Sequence, residues 1–515
     1  MKILTTLQMK MAEAAANMND TSYLRLMENA GAACAKAIRE EYGVTVETPK
    51  RITVVCGRGN NGGDGYVIAR KFSEIGCPVT IIMAGGSPIT ELSKEMLSRV
   101  EQLPINIITF DLNKASALDA LQKCDIIVEA VFGVGLAREV TGVYAELFGY
   151  INSCEAQVVC IDVPGGVNTD TGEIMGASID ADFTIAVCAA KPCHILLPAS
   201  KKCGKVKVVN IGITEEEQNV SGDPYCYSID EDMIKKLLPS RNPVSNKGDY
   251  GHVLSVCGSR NMPGAAVLAA MGAVRSGAGL VTAAFPDCAY SAIGSKITSP
   301  LLLPLNTNEK GTFSASATDE LKKAMSKSTA ILVGCGLGVN RDTAQILYEI
   351  LVNAKVPVVI DADGINILSH NINVLKAAKV PIIITPHPGE MSRLTGLSVE
   401  QIQSDRIQTA VDFAEKNNVT VVLKGANTVI AMPGKKSTYV NVTGNAGMAK
   451  GGSGDLLAGL MCGFLASGIK PEDAAVLAVY LHGLAGDIAA EKYSVTAMTP
   501  TDTANCLPFA LSIFE

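Results

Sequence analysis

The chain has 515 residues, 48% of them hydrophobic and 18% charged, which excludes a disordered or fibrous protein and predicts about two to four globular domains. Its 44 basic and 51 acidic residues give a net charge of −7 with no basic stripe, which argues against binding to nucleic acid or to a membrane surface. Glycine is abundant at 48 residues and tryptophan is absent, so close backbone approaches are expected rather than aromatic stacking. The 15 cysteines are scattered without a C-x-x-C pair, and no signal-peptide pattern or membrane-length apolar run occurs. We therefore expect a cytoplasmic protein with free thiols and no membrane span.

Predicted strands and helices alternate over the first 215 residues. From Ser22 to Tyr42 the apolar residues have helical spacing, and Gly43 is a natural stop. Apolar, mostly β-branched runs follow at 51–56, 78–83, 125–131 and 157–162. Such strands, separated by helices, predict a parallel sheet covered on both faces, a Rossmann-like three-layer α/β domain.

The segment from Glu215 to Asp230 interrupts this alternation with charge, glycine and proline, and is the best linker candidate. The alternation then resumes, with apolar runs at 251–258, 280–285, 330–336, 356–363, 380–386 and 419–425 before a helical C-terminal region. No fixed-period repeat relates the two halves. The sequence therefore predicts two different α/β domains, at 1–218 and 228–515.

The first glycine-rich loop follows the strand at 51–56 and should open a helix. Gly57, Gly59 and Gly62 satisfy the G-x-G-x-x-G dinucleotide pattern, but the acidic residue expected at the end of the next strand is missing. The polar string within this loop comprises Asn60, Asn61, Gly62, Gly63 and Asp64. A tight turn would explain any one of these residues, whereas the whole string favours a ligand site.

Polar groups also stand at two further strand ends. Asp162 ends the run at 157–162, so it could share a crevice with the glycine loop at the carboxyl edge of the sheet. Asp125 begins the run at 125–131, where a strand-start cap is as good an explanation as function. Gly133 and Gly135 form another tight turn after that run.

LMENAG (26–31), GRGNNGGDG (57–65), VFGVGL (131–136) and DVPGGV (162–167) resemble the YjeF N-terminal family, the NAD(P)H-hydrate epimerases. The resemblance implies that residues 60–64 and the turn at Gly133 and Gly135 hold the hydrated dinucleotide, with Asp162 at the reacting ring. It further implies a potassium ion held by Asn61, Asp125 and position 165. The family usually has serine where this chain has Gly165. The change has little consequence if only the backbone carbonyl of that residue contacts the ion, whereas potassium affinity should fall if the serine hydroxyl is needed.

The second glycine-rich region, at 447–454, has four glycines in eight residues and leads through Ser453 into Asp455 and a long apolar helix. Backbone amides at such a helix start stabilise charge on a transferred phosphate, and the following Asp could take a proton from an attacking hydroxyl. An ordinary capped helix explains fewer of these features. Among the supporting strand ends, Lys424 is a candidate phosphate contact or a solvated surface lysine, and His387 is a candidate substrate contact. Asp361 and Asp363 are interpreted as turn-formers, and His252, His370 and His482 as structural.

NKGDYGHVLSVCGS (246–259), GCGLG (334–338), TPHPGEMSRL (385–394) and KGGSGDLLAGL (450–460) resemble the ADP/ATP-dependent NAD(P)H-hydrate dehydratases of the ribokinase-like superfamily. The resemblance implies Asp455 as catalytic base, with Gly451, Gly452, Ser453 and Gly454 as the anion hole. It places Lys424, Gly425, Ala426, Asn427, Thr428 and Gly454 on the adenine nucleotide, and Ala265, Gly338 and His387 on the hydrated dinucleotide. Two departures from the family pattern are Asn246, where histidine is frequent, and Cys335, where proline is usual.

Together the two resemblances predict a nicotinamide-nucleotide repair enzyme that interconverts the R and S hydrates and dehydrates the S form. The expected cofactors are potassium in the first domain and magnesium with ADP in the second, since bacterial members with both domains fused generally use ADP. A homo-oligomer is also expected. The alternative is a ribokinase-type small-molecule kinase whose first domain binds nucleotide without catalysis.

Overall fold

The protein is represented by a computed structural model that describes residues 1–19, 21–434 and 437–515. The described chain divides into two compact units, unit one at Met1–Cys226 and unit two at Tyr227–Glu515. The division falls inside the segment that the sequence marks as a linker.

Unit one is built on a parallel sheet. Its strands are β1 (Lys2–Ile3), β2 (Ile52–Cys56), β3 (Val79–Met83), β4 (Asn106–Thr109), β5 (Ile126–Ala130), β6 (Gln157–Ile161), β7 (Phe183–Val187) and β8 (Lys205–Val209). Its helices are α1 (Thr6–Met18), α2 (Tyr23–Tyr42), α3 (Asn60–Glu74), α4 (Glu91–Val100), α5 (Lys114–Lys123), α6 (Gly142–Asn152) and α7 (Glu215–Gln218). Seven of these strands form the sheet, in the order β4-β3-β2-β5-β6-β7-β8, and β1 is not among them.

Both faces of this sheet are covered, as predicted. Successive residues Val54 and Val55 of β2 belong to hydrophobic clusters on opposite faces. Helix α2 has the predicted bounds because the Ser22 hydroxyl accepts the Arg25 N–H at 3.3 Å and Gly43 adopts a left-handed conformation, φ 63°, that ends the helix.

Unit two contains a mixed, mainly parallel sheet. Its strands are β9 (Cys226–Ser228), β10 (His252–Val256), β11 (Leu280–Pro286), β12 (Leu301–Leu305), β13 (Ala330–Val333), β14 (Val358–Ile360), β15 (Ile382–Ile384), β16 (Thr420–Leu423), β17 (Val429–Ala431) and β18 (Tyr439–Val440). They follow the order β9-β18-β17-β16-β15-β14-β13-β10-β11-β12. Only the β16–β17 and β17–β18 pairings within this order are antiparallel.

Helices pack on both sides of this second sheet. They are α8 (Glu231–Leu237), α9 (Pro263–Arg275), α10 (Tyr290–Gly294), α11 (Thr318–Met325), α12 (Arg341–Asn353), α13 (Asp363–His370), α14 (Pro388–Thr395), α15 (Val399–Ser404), α16 (Arg406–Asn417), α17 (Ser453–Ala466), α18 (Pro471–Tyr493) and α19 (Pro500–Ser512). Helix α18 is long and apolar enough to cross a membrane by length and composition, but 72% of its apolar window is buried in the protein, as in a core helix.

Helices α9 and α17 cross at glycines. A Cβ atom at Gly459 would lie 2.0 Å from the carbonyl oxygen of Ala269, and one at Gly272 would lie 2.2 Å from that of Leu456. The absence of side chains at these two positions therefore lets the helix backbones touch. This contact positions the N-terminus of α17, which carries Asp455.

Candidate active sites

The first glycine loop lies at the carboxyl edge of the unit-one sheet, between β2 and α3. A Cβ atom at Gly57 would lie 2.0 Å from the carbonyl oxygen of Val131, and one at Gly62 would lie 2.0 Å from that of Gly57. Neither position has room for a side chain. The loop therefore lies directly against the turn that follows β5 and contains Gly133.

Asn61 connects this loop to two strand ends. Its Nδ2 atom donates to the carbonyl oxygens of Phe132 at 3.0 Å and Ile161 at 3.3 Å. Its Oδ1 atom is buried without a hydrogen-bond partner among the described residues. Because a buried acceptor without a partner is costly, this oxygen is suited to accept a ligand donor or a cation. Asn60, by contrast, is exposed at the start of α3.

Asp162 occupies a strained position at the end of β6, with φ 68°. Its Oδ1 atom accepts the Val187 N–H at 3.1 Å and is also bonded to the Lys191 ammonium. Lys191 has 1% of its side chain exposed and donates a further bond to the Val187 carbonyl oxygen at 2.7 Å. The structure therefore places a buried ion pair at the position expected for the reacting ring.

His194 holds the backbone of both Asp162 and Lys191 in place. Its Nδ1 atom accepts the Lys191 N–H at 2.9 Å, so the Nε2–H donates to the Asp162 carbonyl oxygen at 2.8 Å. Burial lowers the pKa of His194 to about 4, with the nearby Lys191 charge acting in the same direction. The imidazole is therefore neutral at pH 7, and both its nitrogens hold backbone groups in place.

Three carboxylates, those of Asp162, Asp64 and Glu13, lie close enough to Lys191 to feel its positive charge. Burial raises the pKa of Asp64 well above its ordinary value, and the Asp162 charge adds to this effect. Burial and Asp162 likewise raise the pKa of Glu13, on α1. Asp162 and the Asn60–Asp64 loop thus come together as the sequence predicts. Lys191 and Glu13 were missed because neither stands in a glycine-rich motif.

The prediction that Asp125 shares a potassium site with Asn61 is wrong. Asp125 precedes β5, where it accepts the backbone N–H of Arg51 at 2.8 Å and pairs with the Arg51 guanidinium at 2.9 Å. Asn61 lies at the opposite end of the sheet. Five residues of extended strand separate the two edges by about 16 Å, too far for one ion to contact both side chains.

Glu129 is the buried carboxylate at the correct end of β5. It is 0% exposed, and its oxygens accept the backbone N–H groups of Val131 at 2.8 Å and Gly165 at 2.9 Å. It thereby joins the turn after β5 to the loop that follows Asp162. The signal available in the sequence was one acidic residue inside an otherwise apolar strand.

Gly165 has no space for the serine that the family resemblance leads one to expect at this position. A Cβ atom there would lie 2.6 Å from the ring of Phe148 and 3.0 Å from Oε1 of Glu129. The N–H of Gly165 faces Glu129, and its carbonyl oxygen accepts the Ile179 N–H at 2.9 Å. The ring and the carboxylate therefore fill the place of a side chain at this position.

The second site lies at the carboxyl edge of the unit-two sheet, where α17 begins. Gly452 adopts φ 101° and caps the helix without a side-chain hydrogen bond. The Ser453 N–H donates to the Lys450 carbonyl oxygen at 3.3 Å, which leaves the N–H groups of Gly454 and Asp455 for a ligand. Asp455 lies in the first turn. A cavity of about 580 Å³ opens here, and its lining includes Asp455, Lys424 and His387.

Lys424 is not the solvated surface lysine that the sequence left open. Its side chain is 19% exposed, and Nζ lies 2.6 Å from Oδ1 of Asp361 and 3.9 Å from Oε2 of Glu390. The carbonyl oxygen of Asp361 accepts the Gly364 N–H at 2.9 Å, as expected of a turn-former, but its side chain is 1% exposed and its carboxylate also belongs to the site. Asp361 and Glu390 are thus site residues that sequence reasoning missed, although both lie beside predicted motifs.

Two carboxyl groups in this cavity have pKa values near neutrality. Burial, followed by the charge of Asp361, raises the pKa of Asp455 to about 6. Burial raises that of Glu390 to about 7 against the lowering effect of Lys424. A carboxylate with a pKa close to the working pH is an efficient general base, so Asp455 has both the position and the proton affinity for that task.

The loop after Lys424 is held from beneath by a buried arginine. The Arg406 guanidinium donates to the carbonyl oxygens of Leu423 at 2.9 Å and Lys424 at 3.1 Å. The Thr428 hydroxyl donates back to the Gly425 carbonyl oxygen at 3.0 Å, closing the turn. The sequence did not indicate Arg406, which acts through backbone carbonyls.

The remaining predicted residues divide by position. Four of them line the cavity: Gly425, Gly452, Ser453 and Gly454. Six lie outside its lining: Gly451, Ala426, Asn427, Thr428, Ala265 and Gly338.

Two further residues, Asp363 and His387, hold nearby loops. The Gly338 N–H donates to Oδ2 of Asp363 at 2.8 Å, so Asp363 orders that loop. His387 Nδ1 accepts the Gly389 N–H at 3.0 Å, and burial lowers its pKa, so the ring is neutral with its Nε2–H 3.6 Å from Oε1 of Glu390.

Comparisons with known proteins follow the same division. The family model described as NAD(P)H-hydrate dehydratase matches residues 253–508, and that of the YjeF-related protein N-terminus matches residues 23–193. The bifunctional NAD(P)H-hydrate repair enzyme Nnr of Moorella thermoacetica is 35% identical over 500 residues, covering 95% of this chain and 92% of the relative.

Two solved structures resemble unit two. A ribokinase-like superfamily protein from Enterococcus faecalis V583 is 28% identical, with a TM-score of 0.50 over 56% of this chain and 96% of its own. An ADP/ATP-dependent NAD(P)H-hydrate dehydratase from Bacillus subtilis, co-crystallized with ATP/Mg²⁺, is 32% identical, with a TM-score of 0.49 over 56% of this chain and 99% of its own.

The fold and the two sites define a two-unit α/β protein whose second unit is ribokinase-like. With identity of 35% over nearly the whole length, the chain belongs to the family of bifunctional NAD(P)H-hydrate repair enzymes.

Proposed function

We propose that this protein repairs hydrated NAD(P)H with two separate active sites. Unit one interconverts the R and S hydrates, and unit two dehydrates the S form back to NAD(P)H with consumption of ADP. The observation that carries the proposal is Asp455, a carboxylate with a pKa of about 6 at the glycine-lined start of α17. Family membership over both units supports the pairing of the two activities.

Epimerisation is assigned to Asp162 and Lys191. The hydrated ring carries a hydroxyl on the carbon next to nitrogen, and the stereocentre is lost when the ring opens or when the hydroxyl leaves and returns. Both routes require proton transfer at that hydroxyl, to which a positioned carboxylate contributes about 10²–10⁴-fold. The buried ammonium of Lys191 supports this role because it holds Asp162 in a single orientation.

Dehydration is assigned to the cavity around Asp455. Its carboxylate takes the proton of the ring hydroxyl while the hydroxyl oxygen attacks the terminal phosphorus of ADP, releasing AMP. The phosphate ester then breaks at the ring carbon, a ring proton is lost, and inorganic phosphate and NAD(P)H remain. The N–H groups at the start of α17 and the ammonium of Lys424 stabilise charge on the transferred phosphoryl group.

Magnesium with ADP fits the oxygen donors of this cavity. Mg²⁺ is usually held by one or two carboxylates together with substrate phosphates, and Asp361 and Glu390 both line the cavity. When bound, the ion supplies positive charge that offsets the charge of the phosphates.

Potassium in unit one fits Asn61 and Glu129 better than Asp125. Asn61 offers a buried oxygen without a partner, and Glu129 offers the buried negative charge at the same edge of the sheet. When bound, the ion would hold the turn after β5 in place.

The melting temperature of the wild type should therefore be higher in potassium than in sodium at equal ionic strength, and Asn61→Ser should abolish the difference. An equal potassium effect in the variant would refute this assignment.

A cytoplasmic location agrees with fifteen cysteines that are all free thiols. We also retain the proposals of a homo-oligomer and of domains at 1–218 and 228–515, each carrying one activity.

The deciding experiment supplies each purified epimer of NADH hydrate with ADP or ATP and follows NADH recovery. Wild type should recover NADH from both epimers, and recovery from neither with either nucleotide would refute the proposal. Asp162→Asn should slow recovery from the R form only. Unchanged epimer exchange in that variant would favour a first unit that only binds nucleotide.

A further inference from the structure

A cysteine lies among the carboxylates of the second site. Cys335 follows β13, is fully buried, and has its Sγ atom 3.7 Å from Oδ2 of Asp361. Its thiol also hydrogen bonds to the carboxylate of Asp455, which helps to keep the pKa of Asp455 from rising further. The candidate ligand atoms of these three residues all lie within 4.8 Å of one another. Cys335 therefore adds a sulfur atom to the carboxylate oxygens of this site.

Neighbouring residues orient the carboxylate of Asp361 toward Cys335. Oδ1 of Asp361 accepts the Lys424 ammonium at 2.6 Å and the Thr385 hydroxyl at 2.7 Å, which leaves Oδ2 facing Cys335. Such partners fix the direction of a metal-ligating carboxylate. Asp361 and Asp455 both line the 580 Å³ cavity, so an ion entering from the cavity reaches them first and has the sulfur beneath it.

We infer that Cys335, Asp361 and Asp455 form a binding site for a thiophilic divalent cation such as Zn²⁺ or Cd²⁺, which blocks the dehydratase when it is occupied. A tetrahedral ion with bonds of about 2.0–2.3 Å needs ligand atoms roughly 3.3–3.8 Å apart, which the cluster can meet. Three protein ligands leave a fourth position open to water. A thiolate ligand selects for such ions against Mg²⁺, so this site differs in ligand chemistry from the proposed magnesium site, although the two share Asp361.

Binding requires the loss of one proton. The Cys335 thiol loses its proton to solvent as the sulfur–metal bond forms, and no group is oxidised or reduced. Hydrogen bonding with the Cys257 thiol and burial raise the pKa of Cys335 well above its ordinary value. The metal itself therefore displaces the proton, as it does at other thiolate sites.

Inhibition, unlike binding, rests on the proposed function. A cation coordinated by Asp455 occupies the lone pair that would accept the proton of the ring hydroxyl. The epimerase site contains none of these three ligands, so epimer exchange should be insensitive to the ion.

Binding is tested on the full-length chain with Cd²⁺ alone, by the ultraviolet charge-transfer band of the cadmium–thiolate bond and by equilibrium dialysis. Cys335→Ala should bind one Cd²⁺ ion fewer per chain and should lose the charge-transfer absorbance that this ion contributes. Asp455→Asn, which retains the thiol, should weaken that ion by at least about tenfold. The control Cys288→Ala removes the exposed thiol of the same unit and should leave the Cys335 ion unchanged. Equal stoichiometry and affinity in wild type and Cys335→Ala would overturn the inference, and circular dichroism checks the fold of each variant.

Inhibition is tested with Zn²⁺, each variant being compared with its own metal-free rate of NADH recovery. The inhibitory concentration should rise by at least about tenfold in Cys335→Ala and should not change in Cys288→Ala. Cadmium binding needs no turnover, so it can be positive even if the proposed function fails. Conversely, recovery of NADH without the Cys335-dependent ion would refute the metal site alone.

Discussion

Asp455 is expected to lower the stability of the protein while serving its chemistry. Its pKa of about 6 in the folded protein exceeds its ordinary value of 3.8, so the folded state binds more protons than the unfolded state between these pH values. The free energy of unfolding therefore falls as the pH rises through this window. Asp455→Asn should stop NADH recovery yet raise the free energy of unfolding at pH 7.5 by roughly 1–3 kcal/mol, after allowance for partial exposure.

The pH dependence provides the control for that prediction. At pH 4 the folded carboxyl is protonated and the unfolded one, with its ordinary pKa of 3.8, is about half protonated, so most of the stabilisation by asparagine should be lost. Denaturant unfolding of both proteins at pH 4 and pH 7.5 measures this difference. A stability gain of the same size at both pH values would show that packing, not charge, is responsible.

Gly165 is expected to be irreplaceable in this chain, even by the serine that the family resemblance suggests for this position. The added side chain would meet the ring of Phe148 and the carboxylate of Glu129, both fully buried. Gly165→Ser should therefore lower the free energy of unfolding by about 1–3 kcal/mol. Gly149→Ser is the matched control, because a Cβ atom at Gly149 meets nothing within 4 Å. Thermal unfolding that places the two variants within experimental error of each other would contradict this reading.

At individual positions the sequence predicted the polar groups that stand in glycine-rich motifs, such as Asn61 and Asp455. It could not predict partners supplied by distant parts of the chain. Lys191 meets Asp162 across 29 positions, and Lys424 meets Asp361 across 63. Asp125 was misplaced because its role was taken from a resemblance, whereas strand direction puts it at the wrong edge of the sheet. These contacts depend on topology, which a local pattern does not contain.

The contact between α9 and α17 should set both the stability of unit two and the position of Asp455. At Gly459 an added methyl group would collide with helix backbone, which cannot move aside as a flexible side chain can. Gly459→Ala should therefore lower stability by about 1–3 kcal/mol despite the helix preference of alanine, and should reduce dehydratase kcat.

Gly264→Ala is the matched control for this pair of helices. It lies in the first turn of α9, and a Cβ atom there meets nothing within 4 Å. Chemical denaturation should show a loss for Gly459→Ala alone. If both variants behave alike, the crossing of α9 and α17 does not limit stability.

Most strands with continuous apolar sequence were predicted, and strands at the borders of the sheets were not. β7 is an exception, since it is apolar and buried inside the sheet but was missed. The run that became β2 is buried at all five positions, so its composition alone indicates a strand covered on both faces. β8, with the sequence KVKVV, is largely solvent-accessible at the sheet edge and carries lysines, so its apolar signal is weak. The same applies to β4 and β12, whose exposed positions dilute the pattern.

The whole molecule carries its two sites on separate units, each assembled at the carboxyl edge of its own sheet. The described residues that form the Asp162 site all belong to unit one, and those of the Asp455 site all belong to unit two. Composition could predict neither this separation nor the presence of two sites. The prediction of two sites depended on two unrelated glycine motifs, each followed by a helix.

Two complete sites in one chain make a test by mixing possible. Asp162→Asn should retain dehydration of the S form, and Asp455→Asn should retain epimer exchange, so neither variant alone recovers NADH rapidly from the R hydrate. An equimolar mixture should restore that recovery, because the S hydrate released by one chain diffuses to the dehydratase site of another. The rate with the mixture should approach that of wild type as enzyme concentration rises. A mixture as slow as its components would mean that each site needs the other intact in the same chain.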